Sequence, residues 1–131
     1  MNMKKRIYYH DTDCGGVVYH GNYLKFLEEA RTEYLEERGQ SVKGLMDRGI
    51  IFVVRHQEMD YKHPAFYNDT LEIKTTVKEC SNVRIKFAYE IRNQNGELIG
   101  RASTDLVSVG HDFKLIELPG DLKKVCAASA G

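Results

Sequence analysis

Apolar positions along this chain follow two different periods, and the switch between them divides it. Tyr23, Phe26, Leu27, Ala30 and Tyr34 recur at three- and four-residue spacing, with Leu24 and Leu35 widening the stripe. Lys25, Glu28, Glu29, Glu33, Glu36 and Glu37 fall on the other side. That pattern predicts an amphipathic helix from Tyr23 to about Arg38. Gly21-Asn22 marks its start, Asn being a good N-cap, and Gly39 suits the C′ position at its end. Ser41 and Gly49 frame a short second helix over 41–48.

After Gly49 the period falls to two. Ile50–Lys62 reads as a long strand closed by His63-Pro64. Leu71, Ile73, Thr75 and Val77 alternate with Glu72, Lys74, Thr76 and Lys78 over the segment Leu71–Glu79. Val83, Ile85, Phe87, Tyr89 and Ile91 alternate with polar residues over Val83–Arg92. Cys80-Ser81-Asn82 is a tight turn, Asn95-Gly96 a strong hairpin signal, and Glu97–Gly110 the last long strand. Arg6–His10 is a short strand ahead of the helix. Lys114–Leu118 is a possible short strand before Pro119-Gly120 and an Ala-rich end without a clear pattern. The order is strand, long helix, then a meander of four antiparallel strands. It predicts an α+β domain over 1–131, one long helix across a curled five-stranded antiparallel sheet.

Composition narrows the function classes. At 131 residues the chain is long enough to bury a core without disulfides or metal. Lys plus Arg and Asp plus Glu are 19 each, which excludes the basic footprint of a nucleic-acid binder and attachment to membranes by bulk charge. Cys14, Cys80 and Cys126 are far apart and form no CxxC, so neither a disulfide framework nor a zinc cluster is expected. MNMKKRIYYHD has basic residues but no apolar h-region, and no apolar run approaches membrane-spanning length. A cytoplasmic protein is the expectation.

Chemistry concentrates in Tyr8–Arg31. Asp11 and Asp13 lie in a Gly-containing turn, and His20 stands just ahead of the helix. A carboxylate and an imidazole would thus face the electropositive end of a helix. Asp11 and Asp13, two residues apart, need not share a role: Asp11 suits the satisfaction of local amides, whereas Asp13 adjoins Cys14-Gly15-Gly16, where small residues let a ligand approach the backbone. Tyr9 can lend a hydroxyl to the same place or pack in the core. Three sharper patterns fail on context. A D-T-D phosphatase nucleophile needs a parallel α/β domain. His10, Asp11, Asp13 and His20 lack a helical metal-ligand spacing, and no G-x-S-x-G elbow is present. Arg84 and Lys86 on one strand, with Arg55 and Lys62 on another, are either solvated sheet surface or a cationic patch for a phosphorylated carrier.

The string Y-Y-x-D-T-D-x-x-G-V-V-Y-H-x-N-Y-L-x-F-x-E-x-A-R at Tyr8–Arg31 resembles the signature of hotdog-fold acyl-CoA thioesterases. The likeness is to the 4-hydroxybenzoyl-CoA thioesterase family, in its Tol–Pal-associated, YbgC-like branch; F-V-V-R at Phe52–Arg55 and H-P-A after Tyr61 are similar too. The resemblance implies a hotdog fold, in which the sheet wraps the helix, with active sites between the subunits of a homodimer or homotetramer. It implies hydrolysis of an acyl-CoA, or of an acyl carrier protein thioester, without a cofactor, CoA being part of the substrate. By the same resemblance Asp13 is the catalytic carboxylate, as nucleophile or general base, with His20 and Tyr9 shaping the site. A main-chain amide near His20 polarises the carbonyl. Gly16, Val18, Tyr19, Arg84 and Lys86 are the candidate substrate contacts. The competing expectations are acyl-CoA or acyl-carrier binding without turnover and, third, a hydratase.

Overall fold

The structure is a computed structural model describing residues 2–129, with side-chain surroundings given within 2–127; Met1, Ala130 and Gly131 of the expected domain lie outside the described residues. Its centre is α1, Asn22–Glu37. Tyr23, Phe26, Leu27, Ala30, Tyr34 and Leu35 are buried along one stripe, as the spacing predicts. Burying each large apolar side chain contributes roughly 1.5–3 kcal/mol. Leu24, expected to widen the stripe, is 47% exposed. Gly39 ends the helix at φ +82°: its amide donates to Glu36 O and that of Gln40 to Leu35 O. These are the paired bonds of a Schellman motif. The start differs from expectation. Asn22 is the first helical residue, Gly21 holds the N-cap position, and no side chain caps it.

Five antiparallel strands pack against α1 in an open sheet: β1 (Asn2–Arg6), β2 (Ile51–Tyr61), β3 (Thr70–Cys80), β4 (Arg84–Arg92) and β5 (Leu98–Val109). Their spatial order is β1-β3-β4-β5-β2. The expected meander of four is therefore a meander of three, and β2 joins on the far side of β5. The reason lies in residues 62–69, which are engaged elsewhere. Ala65 O accepts from Val18 N (2.8 Å), Phe66 bridges Val17, and Asp69 O accepts from Ile7 N (2.8 Å). A β2–β3 hairpin would break all three. The segment instead carries the chain under the start of α1, and this crossing builds the site.

Sheet faces follow the alternation. Leu71, Ile73, Thr75 and Val77 of β3 and Ile85, Phe87, Tyr89 and Ile91 of β4 are buried, and Tyr34 meets Phe87 edge-on at 5.8 Å. At the β4–β5 turn Gly96 has φ +80°, and the Asn93 side chain accepts from the Asn95 and Glu97 amides. The second helix, α2 (Val42–Asp47), is capped by Ser41 as expected.

Three more expectations fail. Arg6–His10 is not a strand, because β1 ends at Arg6 and Tyr9–Asp11 is a 3-10 turn. The Asp11 carboxylate accepts from Tyr8 N (2.9 Å), which takes that amide out of any ladder. The Ala-rich end forms α3, Gly120–Ser129, which packs on β3 with Leu122 and Cys126 fully buried. Pro119 sits where a proline is tolerated, just before a helix, and its carbonyl accepts from Lys123 N (2.9 Å). Lys114–Leu118 makes a single bridge, Leu115 to Val109, instead of a strand.

Candidate active site

The Asp11–His20 segment is a clasp between the 3-10 turn and α1. Thr12 bridges Val18, Asp13 N donates to Val17 O (2.9 Å), and Gly16 N donates to Asp13 O (3.1 Å). Gly16 turns the chain at φ +79°, where a side chain would be strained. The Asp11 carbonyl accepts from both Tyr19 N and Asn22 Nδ2, each at 2.9 Å, pinning the clasp to the helix. Asp11 is buried and structural. Asp13 is exposed; its Oδ1 accepts from Gly15 N (2.7 Å), and Oδ2 has no partner among the described residues.

The uncapped helix start lies at the other end of the same clasp. Asn22, expected to cap it, spends its amide on Asp11 O, and a Cβ on Gly21 would lie 2.7 Å from the Tyr19 ring. A side chain there would have to displace the Tyr19 ring. Among the described residues the His20 and Gly21 amides donate to no carbonyl or side chain. Two donors at a helix N-terminus are thus left for an oxygen from outside.

The His20 ring leans on Tyr19 (4.6 Å between centroids) and meets Tyr61 edge-on (6.5 Å), while Tyr61 OH donates to His20 O (3.3 Å). A cleft of about 260 Å³ opens here, lined by Val18, His20, Tyr23, Tyr61, His63 and Pro64 among others. Burial pushes the Tyr23 phenol up to about 12, with the Ala65 main chain pulling back. His63 Nδ1 lies 3.0 Å from Leu98 O, which makes Nδ1 the protonated nitrogen and leaves Nε2 free to accept. Tyr23, Tyr61 and His63 were not candidates from the sequence. The familiar H-P-A after Tyr61 is the one signal that pointed to them.

The remaining candidates divide. Gly16 shapes the Asp13 turn, Val18 lines the cleft, and Tyr19 covers the helix start. Tyr9 is 78% exposed on the 3-10 turn and packs on Tyr67 instead of touching Asp13 or His20. Arg84 and Lys86 stand apart. Tyr61 pairs with Gly100 and hence Ile91, and Arg84 is seven residues further along β4, about 23 Å at the rise of a strand. Both cations also alternate with the buried residues of β4, on the face away from α1. Arg84 is matched there by Asp105 and Glu79, each at 3.3 Å. The structure does not bring this pair to the Asp13 clasp of the same protomer. A larger hollow of about 500 Å³ on the outer face mixes Lys4, Lys74 and Arg92 with Glu72 and Glu90, and contains none of the candidates. No three His, Cys, Asp or Glu side chains among the described residues are placed to hold a metal. No helix among them is long and apolar enough to cross a membrane.

Known proteins share this fold and much of this sequence. Residues 15–99 match the family described as the thioesterase superfamily. An acyl-CoA thioester hydrolase, YbgC, of Escherichia coli is 40% identical over 104 residues, covering 79% of this chain and 78% of its own. The acyl-CoA thioesterase YbgC of Haemophilus influenzae is 35% identical over 120 residues, 90% of this chain and 88% of its own. The solved DHNA-CoA thioesterase of Staphylococcus aureus superposes with a TM-score of 0.94 at 34% identity, covering 97% of this chain and 88% of that one. The likeness in fold thus runs through the whole α+β arrangement that the hotdog resemblance implied.

Proposed function

The chain belongs to the thioesterase superfamily, and on that premise we propose that it hydrolyses acyl-CoA thioesters with Asp13 as the reacting carboxylate. The observation that carries this reading is the clasp itself, which ties an exposed aspartate to an uncapped helix start with two undonated amides. The thioester carbonyl oxygen lies at the His20 and Gly21 amides, where each donor lowers the barrier by ~2.7–4 kcal/mol as negative charge develops. Asp13 attacks the carbonyl carbon, giving an acyl anhydride that water opens, or takes a proton from the attacking water. Either way the C–S bond breaks, CoA leaves as thiolate and collects a proton, and the acyl group departs as a free acid. A thiolate leaves readily, so no strong general acid is needed. His20 orients the substrate.

Three features of a single protomer support a site completed by a second copy. Asp13 stands in solvent, Leu24, Val54 and Tyr61 are half-exposed, and β2 ends the sheet with one edge unpaired. A long free edge is a template for another strand. Antiparallel pairing of two β2 edges covers the clasp and yields a homodimer, whose mass in sedimentation is twice 15.0 kDa. The enzyme acts in the cytoplasm, where acyl-CoA and acyl carrier protein are the thioester sources.

Thiol release from short, long and aromatic acyl-CoAs by wild type and Asp13→Asn tests the assignment. Turnover falls by roughly 10²–10⁴ in the variant. Near-full kcat in Asp13→Asn would remove Asp13 from the reaction. Tight binding with no release by wild type would instead make the protein an acyl-CoA binder.

A further inference from the structure

Polar groups lie in the seam between α1 and the sheet that nothing in the chain satisfies. Tyr89 OH and Thr75 Oγ1, on cross-strand partners of β4 and β3, are fully buried and have no hydrogen-bond partner. Burial pushes the Tyr89 phenol up, and the Thr104 hydroxyl and Arg31 guanidinium beside it pull it back without closing a full hydrogen bond. Thr104 Oγ1 is committed to Gln57 Oε1 (2.7 Å). Arg31 is half-buried and paired with no carboxylate among the described residues. Buried hydroxyls without partners are uncommon, because each loses its hydration without return.

These groups stand behind a groove. Leu24, Glu28 and Arg31, one stripe of α1, face Val54 and Gln57 of β2 across about 310 Å³. Arg31 and Gln57 are the lining residues that lead inward, to Tyr89 directly and to Thr104. The groove begins one helical turn beyond His20. Tyr61 and Gln57 lie on the same face of β2, so the cleft and the groove follow the same helix in sequence. A guanidinium whose side chain slants towards the helix N-terminus lies roughly 10 Å from a carbonyl at the Gly21 amide, and an acyl group of about eight carbons spans that gap, on the rise of an α-helix and the backward tilt of its side chains.

We propose that this seam is the end of the acyl site, and that Arg31 and Tyr89 select an acyl group carrying an acceptor oxygen, hydroxyl or carboxylate, at its far end. The Tyr89 hydroxyl is buried without a partner and Arg31 has no carboxylate among the described residues, and a plain hydrocarbon tail would leave both so. Gln57 holds Thr104 in place and closes the floor. The inference rests on the proposed thioesterase reading, since it takes the carbonyl to lie at the start of α1.

The test uses CoA thioethers, which bind without reacting: S-octyl-CoA, S-(8-hydroxyoctyl)-CoA and S-(7-carboxyheptyl)-CoA. Wild type binds one or both oxygen-ended compounds at least about ten-fold tighter than S-octyl-CoA, as for a buried charge-assisted hydrogen bond. A gain for the carboxyheptyl compound alone identifies a carboxylate as the acceptor, and a gain for both includes the hydroxyl. The ratio falls towards one in Arg31→Met and Tyr89→Phe, with folding checked by circular dichroism, and Arg31→Lys restores part of it for the carboxylate. Equal affinities in wild type, or a ratio that survives both substitutions, would overturn the proposal and point to a buried water as the missing partner. If Asp13-dependent hydrolysis is present and the ratio is one, only this inference fails. If no thioester is hydrolysed and no thioether binds, both readings fail.

Discussion

The two aspartates of the D-T-D turn should separate completely under mutation, because one builds the clasp and the other is presented by it. Asp11 is 6% exposed, and its carboxylate accepts from Tyr8 N at 2.9 Å with the His10 ring at 3.5 Å. A hydrogen bond to a charged acceptor contributes about 1.5–3 kcal/mol, and its removal also leaves the Tyr8 amide unpaired. Asp11→Ala therefore costs about 2–3 kcal/mol. Asp11→Asn keeps an acceptor oxygen and costs nearer 1 kcal/mol. Asp13→Asn loses only an exposed contact to Gly15 and leaves stability within about 0.5 kcal/mol. With m near 2 kcal/mol/M in urea, the Asp11→Ala midpoint drops by about 1 M. Urea curves at one fixed protomer concentration, read beside thiol release, give both axes. The expected result is a cross: Asp11→Asn weakens the fold and keeps turnover within about ten-fold, while Asp13→Asn keeps the fold and loses turnover. An Asp11 variant of full stability, or an Asp13 variant that unfolds early, would show that the roles have been drawn from the wrong residue.

Tyr89→Phe removes a buried hydroxyl without a partner, so it should raise the stability of the free protein by about 1 kcal/mol in urea; a loss of that size would mean the hydroxyl is satisfied. Burial holds the Tyr23 phenol and the Cys126 thiol at about 12, above the 10.0 and 9.0 they start from, and pushes Tyr89 the same way. Raised folded-state values mean that the native state keeps protons the unfolded chain gives up. The stability linked to these groups is complete below about pH 8.5 and lost progressively towards pH 12. Urea midpoints at pH 8, 9.5 and 11 should fall in that order, and a flat series would refute it. Gly100 faces Asp60 O, which a Cβ would approach to 2.5 Å, so Gly100→Ala must push β5 and β2 apart. A cost of about 1–3 kcal/mol is expected, with a weakened Tyr61 wall and a raised KM.

What could be read from the chain depended on whether a segment answers to its own neighbours in sequence. The α1 stripe, the Gly39 stop, the Ser41 cap and the Asn95-Gly96 turn are local devices, and each is found where the pattern puts it. Errors came where a distant partner decides. The position of β2 beyond β5 depends on residues 62–69 being held by Ile7, Val17 and Val18, none of which marks such a partner in the sequence. α3 was hidden because Pro119-Gly120 reads as an ending when it is a beginning. Tyr61 and His63 reach the cleft only through that same crossing, so a reading confined to Tyr8–Arg31 could not include them. Alternation along β4 puts Arg84 and Lys86 on the outward face, but the Asp105 and Glu79 carboxylates that occupy Arg84 come from another strand and the far end of β3.

The helix start shows why stability and function pull apart in this fold. Asn22 stands one residue too late to cap α1, and Gly21 is kept small by the Tyr19 ring, so the usual gain of about 1 kcal/mol from a cap is absent. A serine or aspartate at Gly21 could accept from the Tyr23 or Leu24 amide, yet its Cβ would meet the Tyr19 ring beside the place proposed for the substrate oxygen. The seam beneath α1 repeats the arrangement with Tyr89 and Thr75. In both places the chain leaves donors unsatisfied beside an opening, and both openings lie along one helix. Donors held ready in this way need no reorganisation when charge develops, which is the condition under which electrostatic stabilisation of a transition state is largest. The Asp11 contacts to Tyr8, Tyr19 and Asn22 supply the rigidity that keeps them there.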